Sequence, residues 1–200
     1  CWDHLAQVIR DTLKTEGGSM LVFLPGEGEI RRLTERLDSL PADVVLAPLY
    51  GQLSGEEQDR AIAPAPTGQR KVVLATSIAE TSRTIEGIRI VIDAGFLRMP
   101  SYDPNSAMTR LVTQRLAAAN AEQRRGRAGR LGPGICIRLW SEDENSRLQP
   151  FAVPEIRQAD LTGMVLELAQ WGVNDPADLC WLDVPPAASW TQARELLQAL

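Results

Sequence analysis

The chemically distinctive stretch of the chain is EQRRGRAGR, from Glu122 to Arg130, within 200 residues whose formal net charge is -5. In a helix, Gln123, Arg127 and Arg130 are spaced i, i+4 and i+7, so their side chains share one face. Glycine costs about 1 kcal/mol relative to alanine inside a helix, so two glycines among arginines indicate a close approach to the backbone. The planar arginine fork matches phosphate oxygens bidentately, which predicts a face that binds a polyanion.

A less specific interpretation of this arginine cluster stays open. Such clusters are commonly solvated surface, or are neutralised by carboxylates from elsewhere in the fold. Against this, residues 104 to 141 contain seven arginines, and Glu122 is the one acid among them. Lysines are few, at positions 14 and 71 only. Phosphate is therefore the ligand to test.

Composition and length indicate an ordinary globular chain that can bury a full core, with one medium domain and a small one. No apolar run approaches the roughly 18 residues that span a bilayer, and no signal peptide is recognisable, so we expect a cytoplasmic protein without membrane contact. Cys1, Cys136 and Cys180 are far apart and His4 is the one histidine. This pattern predicts neither a disulfide framework nor a metal site.

The apolar pattern predicts an α/β fold. A helix over Asp3 to Lys14 is followed by apolar runs in MLVFLP, VVLAPLY, KVVLAT, IRIVIDAG and GICIRLW. Continuous apolar runs are typical of strands buried on both faces of a parallel sheet, which here has five or more strands. Between Leu97 and Thr113 two short extended stretches flank DPNS, which predicts a projecting β-hairpin.

The composition changes after Trp140, where SEDENSRLQPF predicts a polar linker. We place a first domain at 1–142 and a second, mostly helical unit at 143–200. VPEIRQADLTGMVLELAQWGV predicts one helix of about five turns that Gly172 closes. A last helix is expected near Ser189, with the serine hydroxyl as its cap.

Loops after parallel strands hold ligands in such sheets, and two of these loops are specialised. PGEGE begins at Pro25, and Gly26 leaves backbone N–H groups available for a phosphate, although a plain strand-to-helix turn explains the glycines equally well. A dinucleotide fingerprint GxGxxG fails because position 31 is arginine, which disfavours a Rossmann-type oxidoreductase. Bound dinucleotide in the purified protein would revive that reading.

The second specialised loop is TSIAETSRTIEG, which starts at Thr76 and contains seven side chains bearing a hydroxyl or a carboxylate. Hydroxyl groups at a strand end hold nucleic-acid phosphates or orient a water, and Glu86 is placed to bond a ribose. Local capping of a short helix by Thr76 or Ser77 is the alternative.

Taken together, FLPGEGEI, LYGQLSGEEQ, ATSIAETSRTIEGI and QRRGRAGR, in this order and spacing, resemble the second RecA-like domain of DEAH-box helicases. The resemblance covers almost the whole chain, and its detail is most similar to the bacterial HrpB branch. The tail from PEIRQ to LDVPP resembles the start of the winged-helix domain that follows in that family. The resemblance implies a RecA-like three-layer fold, that is, a parallel sheet between helices, with a projecting hairpin that is thought to separate strands.

The resemblance also implies roles for the arginine cluster, which corresponds to motif VI of the family. Gln123, Arg127 and Arg130 would reach the γ-phosphate of ATP held, with Mg2+, by a first RecA-like domain. In motif V, Ser82 and Thr84 would lie near that phosphate and the attacking water, and Glu86 would face the ribose.

The same resemblance implies RNA contacts for the two specialised loops. Thr76 and Ser77 of motif V would touch the backbone of a single-stranded RNA, and the Pro25 and Gly26 loop of motif IV would be a second contact. Three positions depart from the usual motif V, because Ser77 replaces asparagine, Arg83 replaces leucine and Glu86 replaces the common aspartate. Many eukaryotic members carry a base-stacking phenylalanine at the position of Ile62, so we expect poor base selectivity.

Neither GxxxxGK[ST] nor a DEAH sequence occurs in the chain. The phosphate-cradling lysine, the Mg2+ ligands and the catalytic base are thus expected in another domain, and we expect no ATP hydrolysis by the chain alone. The start without methionine and the end within a helical pattern lead us to expect a piece of a longer protein. We interpret the chain as the C-terminal half of a superfamily 2 RNA helicase motor. A non-catalytic nucleic-acid-binding module, whose arginines lie directly on RNA phosphates, is the alternative.

Overall fold

A computed structural model of the protein describes residues 2–81, 85–103, 106, 108–130 and 132–200. Seven strands and eight α-helices are found in this described part of the chain. In chain order they are α1 (Trp2–Thr15), β1 (Ser19–Phe23), α2 (Glu27–Arg36), β2 (Val44–Leu49), α3 (Gly55–Ile62), β3 (Arg70–Ala75), α4 (Ile78–Thr81), β4 (Ile88–Asp93), β5 (Phe96–Asp103), β6 (Met108–Arg115), α5 (Ala118–Arg125), β7 (Ile135–Arg138), α6 (Glu142–Ser146), α7 (Thr162–Gln170) and α8 (Ala187–Ala199).

Five strands form a parallel sheet in the order β2, β3, β1, β4, β7, which confirms the predicted α/β class. Phe23 at the end of β1 is in register with Ala75 at the end of β3 and with Asp93 at the end of β4. The loops that follow these three strands therefore leave the same edge of the sheet. This edge brings together loops that are distant in the sequence.

Both faces of the sheet are buried, as the continuous apolar runs predicted. Met20 and Val22 of β1 face a cluster that includes Ile9 of α1 and Leu33 of α2. Leu21 and Phe23, the alternate residues of β1, belong to a second cluster, which also contains Ala79 of α4 and Ala128. Because Ala128 lies in EQRRGRAGR, this second face of the sheet carries the arginine-rich stretch.

The predicted hairpin is present as the antiparallel pair β5 and β6. At its base, Nε of Arg98 donates to Oγ1 of Thr113 over 3.3 Å. The side chains of Met108, Leu111 and Val112 on β6 are exposed. Two residues of the predicted DPNS turn, at positions 104 and 105, lie outside the described residues.

The chain divides into two compact units, one of residues 1–98 and 113–152 and the other of residues 99–112 and 153–200. The second unit contains α7 and α8, and its core includes Leu161, which directly precedes α7, Val165 of α7 and Trp190 of α8. Within it, the backbone N–H of Tyr102 donates to the carbonyl of Gln158 over 2.8 Å. The assignment of 143–200 to the start of a winged-helix domain stays a prediction.

The prediction of one long helix after the linker is wrong, because the segment is divided into two shorter helices. A short 3-10 helix at Glu155–Arg157 is separated from α7, which begins only at Thr162. Oδ1 of Asp160 accepts from the backbone N–H of Thr162 over 2.9 Å and from its hydroxyl, which is a local turn that starts a new helix. The predicted helix end is confirmed, because Gly172 follows α7 with φ of 85°.

The predicted cap of the last helix is also wrong. The helix α8 begins two residues before Ser189, and the residue that precedes its first turn is Pro186, which makes no side-chain capping bond. Proline has a fixed φ and lacks an N–H, so it suits the start of a helix without a capping hydroxyl. In the part of the chain that is described, no helix is long and apolar enough to cross a membrane.

Candidate functional site

The arginine segment, which we define as residues 122–130, is not one continuous helix, so Gln123, Arg127 and Arg130 do not share one helical face. The helix α5 ends at Arg125, and Gly126 still donates to the carbonyl of Glu122 over 2.9 Å. The next two N–H groups, of Arg127 and Ala128, donate to carbonyls only three residues back, over 3.0 and 3.1 Å. The chain thus tightens into a turn, in keeping with the low helix propensity of glycine. Gln123 lies in the last helical turn, whereas Arg127 and Arg130 follow it.

A close backbone contact holds this turn against the sheet. Ala128 is 5% exposed and belongs to the core cluster of its face. A Cβ placed on Gly134 would lie 2.0 Å from the carbonyl oxygen of Ala128, a distance that no side chain tolerates. The chain therefore needs glycine at position 134 to carry the arginine segment into β7. The predicted close approach to backbone occurs in this region, although it involves a glycine just outside the segment.

Arg124 is fully buried and points into the protein. Its Nε donates to Oε1 of Glu80 over 2.7 Å, and its Nη1 donates to Oδ1 of Asp93 over 2.7 Å. The guanidinium carbon lies 4.8 Å from the centre of the Phe23 ring. Two carboxylates and an aromatic face thus compensate the charge that burial would otherwise penalise.

Glu80 is a site residue that the sequence analysis counted among the polar side chains of its loop but did not single out. It lies in α4, directly after the loop that begins at Thr76, and is 8% exposed. In addition to the ion pair with Arg124, its Oε2 accepts from Nδ2 of Asn120 over 3.0 Å. Its backbone carbonyl accepts from Nη2 of Arg127. A carboxylate in a loop that packs on an arginine-rich segment is the signal that would have found it.

The less specific interpretation is correct for at least four of the seven arginines between residues 104 and 141. Their side chains pair with carboxylates at 2.6 to 2.7 Å, and these arginines are Arg115, Arg124, Arg125 and Arg138. Glu122 serves two of them, and these bonds lower the pKa of its carboxyl. Carboxylates thus neutralise these four arginines, Arg124 in the interior and the other three with partners at the surface.

Arg127 and Arg130 form the part of the segment that concentrates positive charge. Arg127 is 9% exposed, while Arg130 and Gln123 are exposed. Burial lowers the pKa of Arg127, the charge of Arg130 lowers it further, and Glu80 opposes the shift. Two guanidinium groups in one short turn, one largely buried and one exposed, are of the type that binds phosphate oxygens.

The loop after β3 places Thr76 and Ser77 at the carboxyl edge of the sheet. Thr76 is half-buried and Ser77 is exposed. Glu86 is exposed in the turn before β4. Ser82 and Thr84, which the resemblance implies near the γ-phosphate, lie outside the described residues, as does Arg83.

The loop after β1 lies beside the loop after β3, as the parallel register requires. Leu24 donates its backbone N–H to the carbonyl of Ala75 over 2.8 Å, so the two predicted RNA contacts are neighbours. Pro25 and Gly26 are nevertheless both buried. A Cβ on Gly26 would lie 2.6 Å from Nη1 of Arg98, so this guanidinium covers the glycine.

Two further expectations concern Ile62 and metal binding. Ile62 ends α3 and packs, half-buried, against the core cluster of the arginine face. Among the residues described, no group of three or more His, Cys, Asp or Glu side chains is placed to hold a metal ion.

The fold and the arginine segment define the class of this protein. The helicase conserved C-terminal domain family matches residues 2–132, about two thirds of the chain, and this range contains the arginine segment and both edge loops. The chain belongs to this family of helicase C-terminal domains. The predicted resemblance is confirmed.

Named relatives specify the branch. The ATP-dependent RNA helicase HrpB of Escherichia coli K12 is 51% identical over 199 residues, which are 99% of this chain and 25% of that protein. Two crystal structures of HrpB, described as a DExH-box NTPase and as a DEAH/RHA helicase, match with TM-scores of 0.91 and 0.93 at 51% identity. Each match covers 98% of this chain, and 24% and 25% of the respective HrpB chains.

A more distant relative is the probable ATP-dependent RNA helicase DHX34 of Mus musculus, which is 43% identical over 92% of this chain and 16% of that protein. The chain thus spans a quarter or less of the length of these relatives.

Proposed function

We propose that the chain is the C-terminal motor half of an ATP-dependent RNA helicase of superfamily 2. In this proposal Gln123, Arg127 and Arg130 act on the γ-phosphate of ATP bound by a first RecA-like domain. The observation that carries the proposal is the placement of two arginines in the turn after α5, with Arg127 largely buried and bonded to the Glu80 carbonyl and Arg130 exposed. Such a pair is matched to a polyanion, and arginine is suited to phosphate oxygens.

The nucleotide itself is assigned mainly to the other domain. This chain has no P-loop lysine, so we propose that ATP and its Mg2+ are held by the first RecA-like domain, which is the partner of the arginine face. Ser82 and Thr84 are proposed near the γ-phosphate and the attacking water, and Glu86 near the ribose. The cytoplasmic location expected from the sequence stays a prediction.

Arg127 must change partners for this function. Its Nη2 is engaged by the carbonyl of Glu80, so closure of the two domains replaces a neutral acceptor with a phosphate oxygen. Charge-assisted bonds are about twice as strong as neutral ones, which favours the exchange when phosphate arrives. Arginine fingers are worth about 10³ to 10⁵ in rate, and that contribution exists only in the closed state.

We propose that single-stranded RNA lies along the carboxyl edge of the sheet. Thr76 and Ser77 would bond its phosphate and sugar groups, with the neighbouring Pro25 and Gly26 loop as a second contact. The adjacency of the two loops supports this assignment. Because Pro25 and Gly26 are buried, that second contact requires the Arg98 guanidinium to turn away. Contacts to phosphate and sugar do not read base sequence, so we expect little sequence preference.

A non-catalytic nucleic-acid-binding module remains the second candidate. The exposure of Arg130 favours it, because an exposed arginine is able to lie directly on RNA phosphates. The two proposals assign different roles to Arg127. In the motor it contributes to ATP hydrolysis, and in the module it contributes to RNA binding.

The deciding experiment compares Arg127→Ala with Arg125→Ala in the full-length protein, with RNA-stimulated ATP hydrolysis and nucleotide-free RNA affinity as readouts. Arg125 is the matched control because it is an exposed neighbour that pairs with Glu122. The motor predicts a loss of hydrolysis of about 10³-fold or more for Arg127→Ala alone, with RNA affinity nearly unchanged. Unchanged hydrolysis with weakened RNA binding would establish the module instead.

A further inference from the structure

Glu80 accepts hydrogen bonds from three side chains, two of them on α5 and the third in the turn that follows α5. Its carboxylate accepts from Arg124 and from Asn120, and its backbone carbonyl accepts from Arg127. Arg127 and Arg124 are thereby fixed by one residue, although they point in different directions. No other described carboxylate accepts from Arg124 and Asn120 together.

The two side-chain bonds require a carboxylate. Oε1 of Glu80 is used by Arg124 and Oε2 by Asn120, at 2.7 and 3.0 Å. A carboxylate offers two acceptor oxygens, whereas a glutamine amide offers one acceptor and one donor. Glutamine at position 80 would therefore place an NH2 group against one of two other donors.

Glu80 is also tied to the proposed RNA-facing loop. Its backbone N–H donates to the carbonyl of Ser77 over 2.9 Å, and the preceding N–H, of Ala79, donates to the carbonyl of Thr76 over 3.2 Å. One turn of backbone thus separates the two hydroxyl residues from the residue that holds Arg127. A displacement of this loop displaces the carbonyl to which Arg127 is bonded.

We propose that Glu80 is the positioning residue of the arginine segment. Its carboxylate fixes α5 through Arg124 and Asn120, and its carbonyl holds Arg127 beside the RNA-facing loop until the γ-phosphate replaces that carbonyl on domain closure. This inference rests on the proposed function. Glu80 does not touch the reacting atoms, and it acts through Arg124, Asn120 and Arg127. Its role is geometric, because a misplacement of about 1 Å in a catalytic group is able to cost about 10²-fold in rate.

Glu80→Gln is a variant that the fold should tolerate. The buried cluster holds two carboxylates, Glu80 and Asp93, around one guanidinium, that of Arg124. Neutralising Glu80 leaves one carboxylate and one guanidinium, so no buried charge becomes unpaired. Asn120→Ala is a second variant, which removes one bond to Glu80 and leaves every charge in place.

The experiment is a double-mutant cycle in the full-length protein, with wild type, Glu80→Gln, Arg127→Ala and the combined variant. Steady-state kcat and KM for ATP with saturating RNA, nucleotide-free RNA affinity and melting temperature are measured for each. Ile30→Val is the matched control, since it weakens the core on the opposite face of the sheet. Asn120→Ala is measured in parallel.

We expect Glu80→Gln to lower kcat about 10- to 100-fold with KM and RNA affinity within about twofold of wild type. The combined variant should be no slower than Arg127→Ala, because a residue that acts through Arg127 has nothing left to position. Asn120→Ala should show a smaller loss with the same lack of additivity.

Three results would contradict parts of this account, and they are distinguishable. If Glu80→Gln behaves like Ile30→Val while Arg127→Ala abolishes hydrolysis, Glu80 is merely structural and the proposed function stands. If the effects of Glu80→Gln and Arg127→Ala multiply, Glu80 acts independently of Arg127 and the inference is wrong. If Arg127→Ala leaves hydrolysis intact, the proposed function itself fails.

Discussion

The Nη1 atom of Arg124 lies 2.7 Å from Oδ1 of Asp93, and the side chains are 0% and 1% exposed. This ion pair ties the helix before the arginine turn to the end of a central strand. Burial raises the pKa of Asp93, whereas the Arg124 charge and the N–H of Gly95 oppose the shift. The arginine segment is thus anchored through an arginine that no ligand reaches.

Arg124→Met should destabilise the chain strongly. It leaves Glu80 and Asp93 buried without their cation, and breaking a buried ion pair on one side costs about 3 to 5 kcal/mol. Arg125→Met is the matched control, because its ion pair with Glu122 is exposed and worth about 1 kcal/mol or less. Urea-induced unfolding of the two variants measures the difference. Equal unfolding midpoints would show that the buried cluster contributes nothing to stability.

Gly134→Ala should also be destabilising. The added Cβ would lie 2.0 Å from the carbonyl oxygen of Ala128, and overpacking of this kind costs about 1 to 3 kcal/mol. Gly132→Ala is the control, since a Cβ at that position meets nothing within 4 Å. Thermal unfolding compares them. If Gly132→Ala were the more damaging of the two, the contact between the arginine turn and β7 would not limit position 134.

Cys136 should react slowly with iodoacetamide in the native protein. It is half-buried in β7, and burial raises the pKa of its thiol above 9.0, so less thiolate is present at any pH below that value. Exposed Cys180 is the internal reference. Labelling mapped by mass spectrometry at pH 8 should favour Cys180 by about 10-fold or more.

The pH dependence gives the same prediction a second test. A raised pKa means that the labelling rate of Cys136 continues to increase past pH 9, where an unperturbed thiol levels off. A plateau of Cys136 labelling by pH 9 would contradict the raised pKa.

Much of the fold was predictable because local periodicity is strong in parallel α/β proteins. The five apolar runs became the five strands of the sheet, and the DPNS stretch marked the hairpin. Helices predicted from the apolar pattern were too long where the chain instead forms a turn. Asp160 interrupts the predicted long helix through its own hydrogen bonds to Thr162, and Gly126 ends α5 before Arg127. Helix propensity and hydrophobic periodicity do not show whether tertiary contacts favour a helix or a turn at such a position.

Residue types and their order in the sequence indicated which segment forms the site. They did not indicate which side chains pair with each other inside it. EQRRGRAGR indicated a phosphate-binding arginine cluster, but all its arginines look alike in the sequence. The structure separates them, because Arg124 meets carboxylates from β4 and α4 while Arg127 meets a backbone carbonyl. Those partners lie 31 to 47 positions away along the chain.

The sequence by itself determined the class of fold, the family and the segments that carry charge and hydroxyl groups, since these follow from local composition, period and motif order. Only the tertiary structure decided which arginines are neutralised and why position 134 must be glycine. It also decided that Glu80 joins the loop after β3 to the arginine segment. The physical reason is that burial and charge pairing depend on distances across the sheet. Those distances are set when β1, β3 and β4 align their carboxyl ends, and no local pattern encodes them.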